Sequence, residues 1–236
     1  MVGCRAGENR DTVRPRPAGD GQFRLAEALG VQSVTGTPET LAAAARAASP
    51  AVRAGEVHFA LIPVMGAEAL VCYRLDDGEA ARRHRSRAGS LCSADVLELL
   101  LGLPIGMPVP VTSLTRRETA ALKLAPPGAV SVREGEVARH AVAPVKVELA
   151  VVAGSSWRHG LEKAGRFAPF CARAVALHRH PRDLAEVELQ AGFYGVGVIV
   201  VDDQSTEVLV PPAPFRRCRW TAAGWRFLEE VYRAVG

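Results

Sequence analysis

The sequence predicts an α/β fold in which helices flank a mixed central sheet. Apolar segments alternate with helical ones over residues 144–203. The predicted strands are 145–152, 172–178 and 195–201. Their near-continuous apolar character is typical of strands that are covered on both faces. An amphipathic segment at 157–167 and a second one that begins at Asp183 supply the intervening helices, which favours parallel strands joined by crossovers.

Residues 22–90 are predicted to form the first part of the same core. Thr37 precedes Pro38 and a helical segment that continues to residue 48, as expected of a capped helix start. Segments 56–62 and 68–75 read as two strands, and Gly66 between them predicts a tight hairpin. Residues 76–90 are predicted to be a turn and a basic run. A short helix is expected at 23–29, near the start of this segment, and a disordered tail (1–21) is expected before it.

Residues 91–143 predict a small winged-helix-like subdomain inserted into the core, whose second part is 144–236. Ser93 is placed to cap a helix over 96–103, and Thr115 with Glu118 has the spacing of a capping box. Two short strands, 129–133 and 136–140, follow around a turn at Gly135. Helices followed by such a hairpin resemble a winged helix, which binds DNA with one helix and the wing.

Composition limits the class of protein without fixing it. A hydrophobic content of 48% is ample for a buried core, and a net charge of +4 permits a polyanionic partner without requiring one. The five cysteines are scattered and form no CxxC pair, which argues against a zinc site and a disulfide framework. The absence of a long apolar run predicts a cytoplasmic protein with no membrane partner.

The order of these elements resembles the PD-(D/E)XK nuclease-like superfamily. The residues that carry the resemblance are Gly66-Ala-Glu-Ala-Leu-Val71, Glu148-Leu-Ala150, Trp157-Arg158 and the strand Tyr194-Gly-Val-Gly-Val. The resemblance implies a restriction-endonuclease-like core and metal-dependent phosphodiester hydrolysis. It also implies that Glu68 and Glu148 are metal ligands that meet at one edge of the sheet and hold Mg²⁺.

The chain departs from the family pattern at the position of the catalytic lysine. Ala150 stands where the E-x-K motif has its lysine, and Glu68 stands for an aspartate. Lys146, two residues before Glu148, and Lys163, on the following helix, are the candidate replacements. The alternative is that Glu148 is a structural residue paired with Lys146 or an arginine. We therefore expect a nucleic-acid-binding protein whose catalysis is weakened or lost, in other words a pseudoenzyme.

Basic residues supply the candidate contacts to nucleic acid, with DNA the expected partner. The candidates are Arg158 at a helix start, the run Arg82, Arg83 and Arg85, the helical Arg116, Arg117 and Lys123, and Arg133 on the wing. Arg158 has phosphate or Glu148 as its expected partner. Acidic residues interleave with the basic residues of the insertion, so an ordinary solvated face is the competing interpretation.

Two non-enzymatic functions remain open. The insertion would suit a winged-helix transcription regulator, and the whole fold would suit a protein-binding scaffold. A homodimer is compatible with either. The histidines of His178-Arg179-His180 end an apolar strand and are interpreted as a polar strand terminus, because two histidines do not make a zinc site.

Overall fold

The structure is a computed structural model that describes residues 37–202 and 205–236. The expected disordered tail (1–21) and the short helix at 23–29 lie outside the described residues. The helices are α1 Pro38–Ala48, α2 Pro50–Arg53, α3 Asp77–Ser86, α4 Ala94–Gly102, α5 Arg116–Leu124, α6 Trp157–Gly165, α7 Leu184–Tyr194 and α8 Ala222–Val235, with a 3-10 turn at Val111–Ser113. The strands are β1 His58–Val64, β2 Ala67–Leu75, β3 Pro108–Pro110, β4 Val130–Arg133, β5 Glu136–Arg139, β6 Val145–Gly154, β7 Ala172–Leu177, β8 Gly197–Val201 and β9 Thr206–Val210.

Six strands form one mixed sheet in the order β1-β2-β6-β7-β8-β9. The neighbours β1, β2 and β6 are antiparallel, β6, β7 and β8 are parallel, and β9 is antiparallel to β8. Leu41 of α1 packs with Leu70 and Val151 on one face of the sheet. On the other face, Trp157 of α6 and Phe227 of α8 share a core. The predicted mixed sheet flanked by helices is therefore confirmed.

The segment after β2 is the helix Asp77–Ser86, so the turn predicted within residues 76–90 is wrong. The basic run lies on this helix. The Asp76 side chain accepts a hydrogen bond from the backbone N–H of Glu79 at 2.8 Å and caps the first turn of α3. Glu79 and Arg83 then pair along one helix face at 2.7 Å. This helix was not predicted because its sequence is hydrophilic. Its buried face consists of an ion pair rather than apolar side chains.

Residues 91–143 fold around a second sheet of three strands in the order β3-β5-β4. The predicted hairpin corresponds to β4 and β5, whereas β3 was not predicted. Pro108 and Pro110 argue against a strand, because prolines are rare within a sheet. They are accommodated in β3 because it is an edge strand. Leu97 and Leu100 of α4 pack with Trp225 of α8, so this insertion shares a core with the last helix.

A buried ionic network joins α3, α8 and the start of the insertion. Arg83 is 1% exposed, and its guanidinium donates to Glu79 and Glu229 at 2.7 Å. Glu229 also accepts the Trp225 indole N–H at 2.8 Å and the Leu91 backbone N–H at 2.9 Å. Burial lowers the pKa of Arg83, but the two carboxylates outweigh burial and raise the pKa above its ordinary value.

We expect Arg83→Met to lower the free energy of unfolding by about 3 kcal/mol, because it leaves a buried carboxylate without its cation. Urea denaturation measures this loss. The matched control is Arg85→Met on the exposed side of the same helix, for which a change within about 0.5 kcal/mol is expected. Equal losses in the two variants would show that the network does not stabilise the fold.

Candidate nucleic-acid interface

Glu148 lies at an irregularity in the middle of the sheet, where it is held by two cations. Cys72 pairs with Leu149 and Tyr73 pairs with Val147, so Glu148 has no partner on β2. Its Oε1 lies 3.0 Å from Arg74 Nε and 2.8 Å from Lys146 Nζ. The Arg74 guanidinium also donates to backbone carbonyls at the end of α2 and before β1. This carboxylate therefore connects β6, β2 and the α2 region.

The structure does not bring Glu68 and Glu148 together. Glu68 lies one step beyond the pair Ala69–Val152, which places it beside Ala153. Five residue steps along β6 then separate it from Glu148, or about 16 Å at roughly 3.3 Å per residue. Two carboxylates that share one Mg²⁺ hold it at about 2 Å each, far closer than this separation allows. The expectation that these acids meet at one edge of the sheet is corrected here.

The donors around Glu68 do not complete a metal site either. Ala153 and Val151, the β6 residues on its side of the sheet, offer no ligand oxygen from their side chains. Within residues 37–202 and 205–236, no group of three His, Cys, Asp or Glu side chains is placed to hold a metal ion. Glu68 and Glu148 are therefore not placed to share one metal ion.

The two candidate lysines have different surroundings. Lys146 contacts Glu148, as the strand spacing predicts. Lys163 lies on α6, and the buried residues of α6 pack against the opposite face of the sheet from Leu149. Lys163 is therefore not positioned beside Glu148.

Arg158 pairs with α7 rather than with the acid of β6. Its guanidinium donates to Glu186 at 2.6 Å and lies 4.3 Å from the centre of the Trp157 ring. Next to this pair, a cavity of about 450 Å³ lies between α6 and α7, with Leu161, Arg173 and Tyr194 in its wall. Arg158 was expected to pair with phosphate or Glu148, and within the described residues its partner is instead Glu186 of the neighbouring helix.

The basic run of α3 is largely engaged within the protein. Arg83 is buried and has no access to a phosphate, so its predicted role in nucleic-acid binding is corrected. Arg82 donates two hydrogen bonds to Glu79 at 2.7 Å, whereas Arg85 is exposed. Burial would raise the pKa of Glu79, but the bonds from Arg82 and Arg83 outweigh it and hold that pKa below its usual value.

The basic residues of the insertion divide into paired and exposed groups. Arg117 Nη2 lies 2.6 Å from Asp95 and 2.9 Å from Glu98, and this triad links α5 to α4. Arg116, Lys123 and Arg133 are exposed, and none of them forms an ion pair with another residue of the described part of the chain. Among the candidate basic residues of the insertion, these three are the most accessible to an external anion.

The sequence reasoning missed a cationic and aromatic segment between β9 and α8. In this segment, Phe215-Arg-Arg-Cys-Arg-Trp220 interleaves arginines with aromatics. The Arg217 guanidinium lies 4.6 Å from the Trp220 ring centre and 5.5 Å from that of Phe215. Trp220 is 50% exposed, which is unusual for so large an apolar side chain.

The carboxyl ends of β6 and β7 border a smaller cavity of about 330 Å³. Ser155, Ser156, His178 and His180 contribute to its wall. His180 Nε2 lies 3.2 Å from a carboxylate oxygen of Glu207 on β9. The polar end of β7 therefore faces a neighbouring strand as well as the cavity.

Comparison with known proteins gives no family model, curated protein or solved structure that matches this chain. Among the described helices, none has both the length and the apolar character that crossing a membrane requires.

We expect Glu148→Gln to lower the free energy of unfolding by about 1–2 kcal/mol, because Arg74 and Lys146 lose the charge that they share. Denaturation in urea measures the change. The matched control is Glu68→Gln, which removes an exposed carboxylate of the same sheet and is expected to change stability by less than about 0.5 kcal/mol. A neutral Glu148→Gln would argue against a structural role for this acid.

Proposed function

We propose that this protein binds nucleic acid and does not hydrolyse it through Glu68 and Glu148. The observation that carries the proposal is that three basic residues of the insertion (the cationic surface), Arg116, Lys123 and Arg133, are exposed and form no ion pair within the described residues. Cations without an internal counter-ion are available to phosphates, and binding to phosphates releases the counterions condensed on nucleic acid. Arg117 is engaged by Asp95 and Glu98, so it is not part of this surface.

The arrangement of elements supports the same proposal. The order α1-β1-β2-β6-α6-β7, with the insertion between β2 and β6, is compatible with the restriction-endonuclease-like core that the sequence resembles. In the insertion, α5 precedes the hairpin of β4 and β5, as a recognition helix precedes the wing of a winged helix. Likeness of shape is not a function by itself, and the charged surface therefore carries the argument.

Loss of catalysis is proposed from the positions of the carboxylates. Glu148 is engaged by Arg74 and Lys146, and Glu68 has apolar neighbours on β6. Hydrolysis assisted by a metal requires ligands that converge on one point, and these two acids do not converge.

A protein-binding scaffold is the second candidate, favoured by one observation. Helix α7 exposes Leu189 and Phe193, the latter to 81%, on one side of the helix. Exposed apolar side chains four residues apart form a small patch that is typical of contact surfaces. Failure of the chain to bind any nucleic acid would leave this candidate as the better one.

The triple variant Arg116→Gln, Lys123→Gln and Arg133→Gln is expected to weaken nucleic-acid binding in a mobility-shift assay. Loss of three phosphate contacts on a duplex should also reduce the slope of log affinity against log salt by about 2.7. The charge-matched control replaces three exposed arginines outside the insertion, Arg53, Arg179 and Arg182, with glutamine. Equal weakening in both triple variants would show that net charge, rather than this surface, governs binding.

Incubation of the full chain with nucleic acid and Mg²⁺ or Mn²⁺ is expected to yield no cleavage that depends on Glu148. Product formation by the wild type, Glu68→Gln and Glu148→Gln proteins should remain at the background level on denaturing gels. Cleavage that disappears in Glu148→Gln, with the variant still folded, would contradict the proposed loss of catalysis.

A further inference from the structure

Trp220 forms an open aromatic platform beside three arginines. Arg217 lies over its ring, and the Trp225 ring meets it edge-on at 6.3 Å with an interplanar angle of 63°. These two contacts fix the orientation of the indole while half of its surface stays exposed. An indole that is held in place and partly uncovered loses little conformational freedom when a flat ligand stacks on it.

The charge around this platform is not neutralised internally. Arg216 and Arg219 are exposed, and Arg217 is half-buried. None of the three arginines forms an ion pair with a residue in the described ranges, and Arg217 donates instead to the Phe170 carbonyl at 3.3 Å. Burial lowers the pKa of Arg217, because the charged guanidinium loses hydration and no carboxylate of the described residues compensates for that loss. A bound anion would supply the compensation.

The platform is connected to the insertion through Trp225. That residue is fully buried, contributes to the core of the insertion, and receives the Arg139 guanidinium at 4.7 Å from its ring centre. Trp220 therefore stands next to the fold unit that carries the cationic surface.

We propose that the Trp220 platform binds single-stranded nucleic acid by stacking one unpaired base on the indole while Arg216, Arg217 and Arg219 contact the flanking phosphates. This inference rests on the proposed function and names its substrate class. Base stacking on an aromatic ring combined with arginine contacts to the backbone is the way that single strands are held without sequence preference. Bases in an intact duplex are stacked on each other and do not offer a free face to the ring.

Intrinsic tryptophan fluorescence tests the proposal directly. Of the three tryptophans, Trp157 and Trp225 are 8% and 0% exposed, so quenching by a stacked base reports on Trp220. The full chain is titrated at low salt with an oligothymidylate, with a mixed-sequence duplex of equal length, and with poly-glutamate. Quenching by the single strand, and not by poly-glutamate, is the expected result.

Affinities of variants supply the second readout. Trp220→Ala is expected to weaken single-strand binding by about tenfold or more, while Trp220→Phe retains most of the affinity. The double variant Arg216→Gln and Arg219→Gln should reduce the single-strand salt slope by about 1.4. The matched control is Phe193→Ala, which removes another exposed aromatic ring, on α7, and should leave affinity unchanged.

The outcomes separate this inference from the proposed function. Duplex binding that depends on the insertion, with a Trp220→Ala protein that binds single strands as the wild type does, would overturn the platform and leave the proposed function standing. Equal quenching by poly-glutamate would also overturn it, since the surface would then recognise negative charge or an acidic protein rather than bases. Absence of binding to any nucleic acid would overturn both.

Discussion

The buried guanidinium of Arg83 sets the relation between the insertion and the main sheet. It bridges Glu79 of α3 and Glu229 of α8, and Glu229 in turn holds the backbone at Leu91, where the insertion begins. A buried charge is costly unless it is paired, so this set of contacts stabilises one arrangement and penalises alternatives in which any member is absent. The insertion is thereby attached to the helix whose start is next to Trp220.

A similar constraint explains why Glu148 is structural in this chain. The irregularity opposite Cys72 places Glu148 beside Arg74, and Arg74 connects it to the carbonyls that end α2. The oxygen of Glu148 that contacts both cations is committed to those partners. The sheet is thus stabilised at the point where the sequence pattern suggested chemistry.

The surfaces open to a partner lie away from that carboxylate. They are the cationic side of the insertion, the arginine and tryptophan segment before α8, and the apolar side of α7. The first two have the charge and the aromatic character that nucleic acid requires, and Trp225 joins them through a shared core. In the proposed function, exposed charged residues would bind the partner, whereas the buried ones form ion pairs inside the fold.

The sequence by itself determined the mixed sheet, the hairpin of β4 and β5 and most helix starts, because these depend on local patterns. Apolar runs mark covered strands, and Thr115 with Glu118 specifies a helix start within four residues. Helix α3 was not predicted, because its buried face is polar and Glu229, the partner of its Arg83, lies far along the chain.

The tertiary structure alone decided which charged residues are available. Arg83 and Arg85 look equivalent in the sequence, yet one is buried against two carboxylates and the other is exposed. Likewise, the separation of Glu68 from Glu148 follows from the register of β2 against β6, which the strand patterns do not specify because both strands are apolar on both faces. Pairing between distant segments fixes such contacts, and no local pattern encodes them.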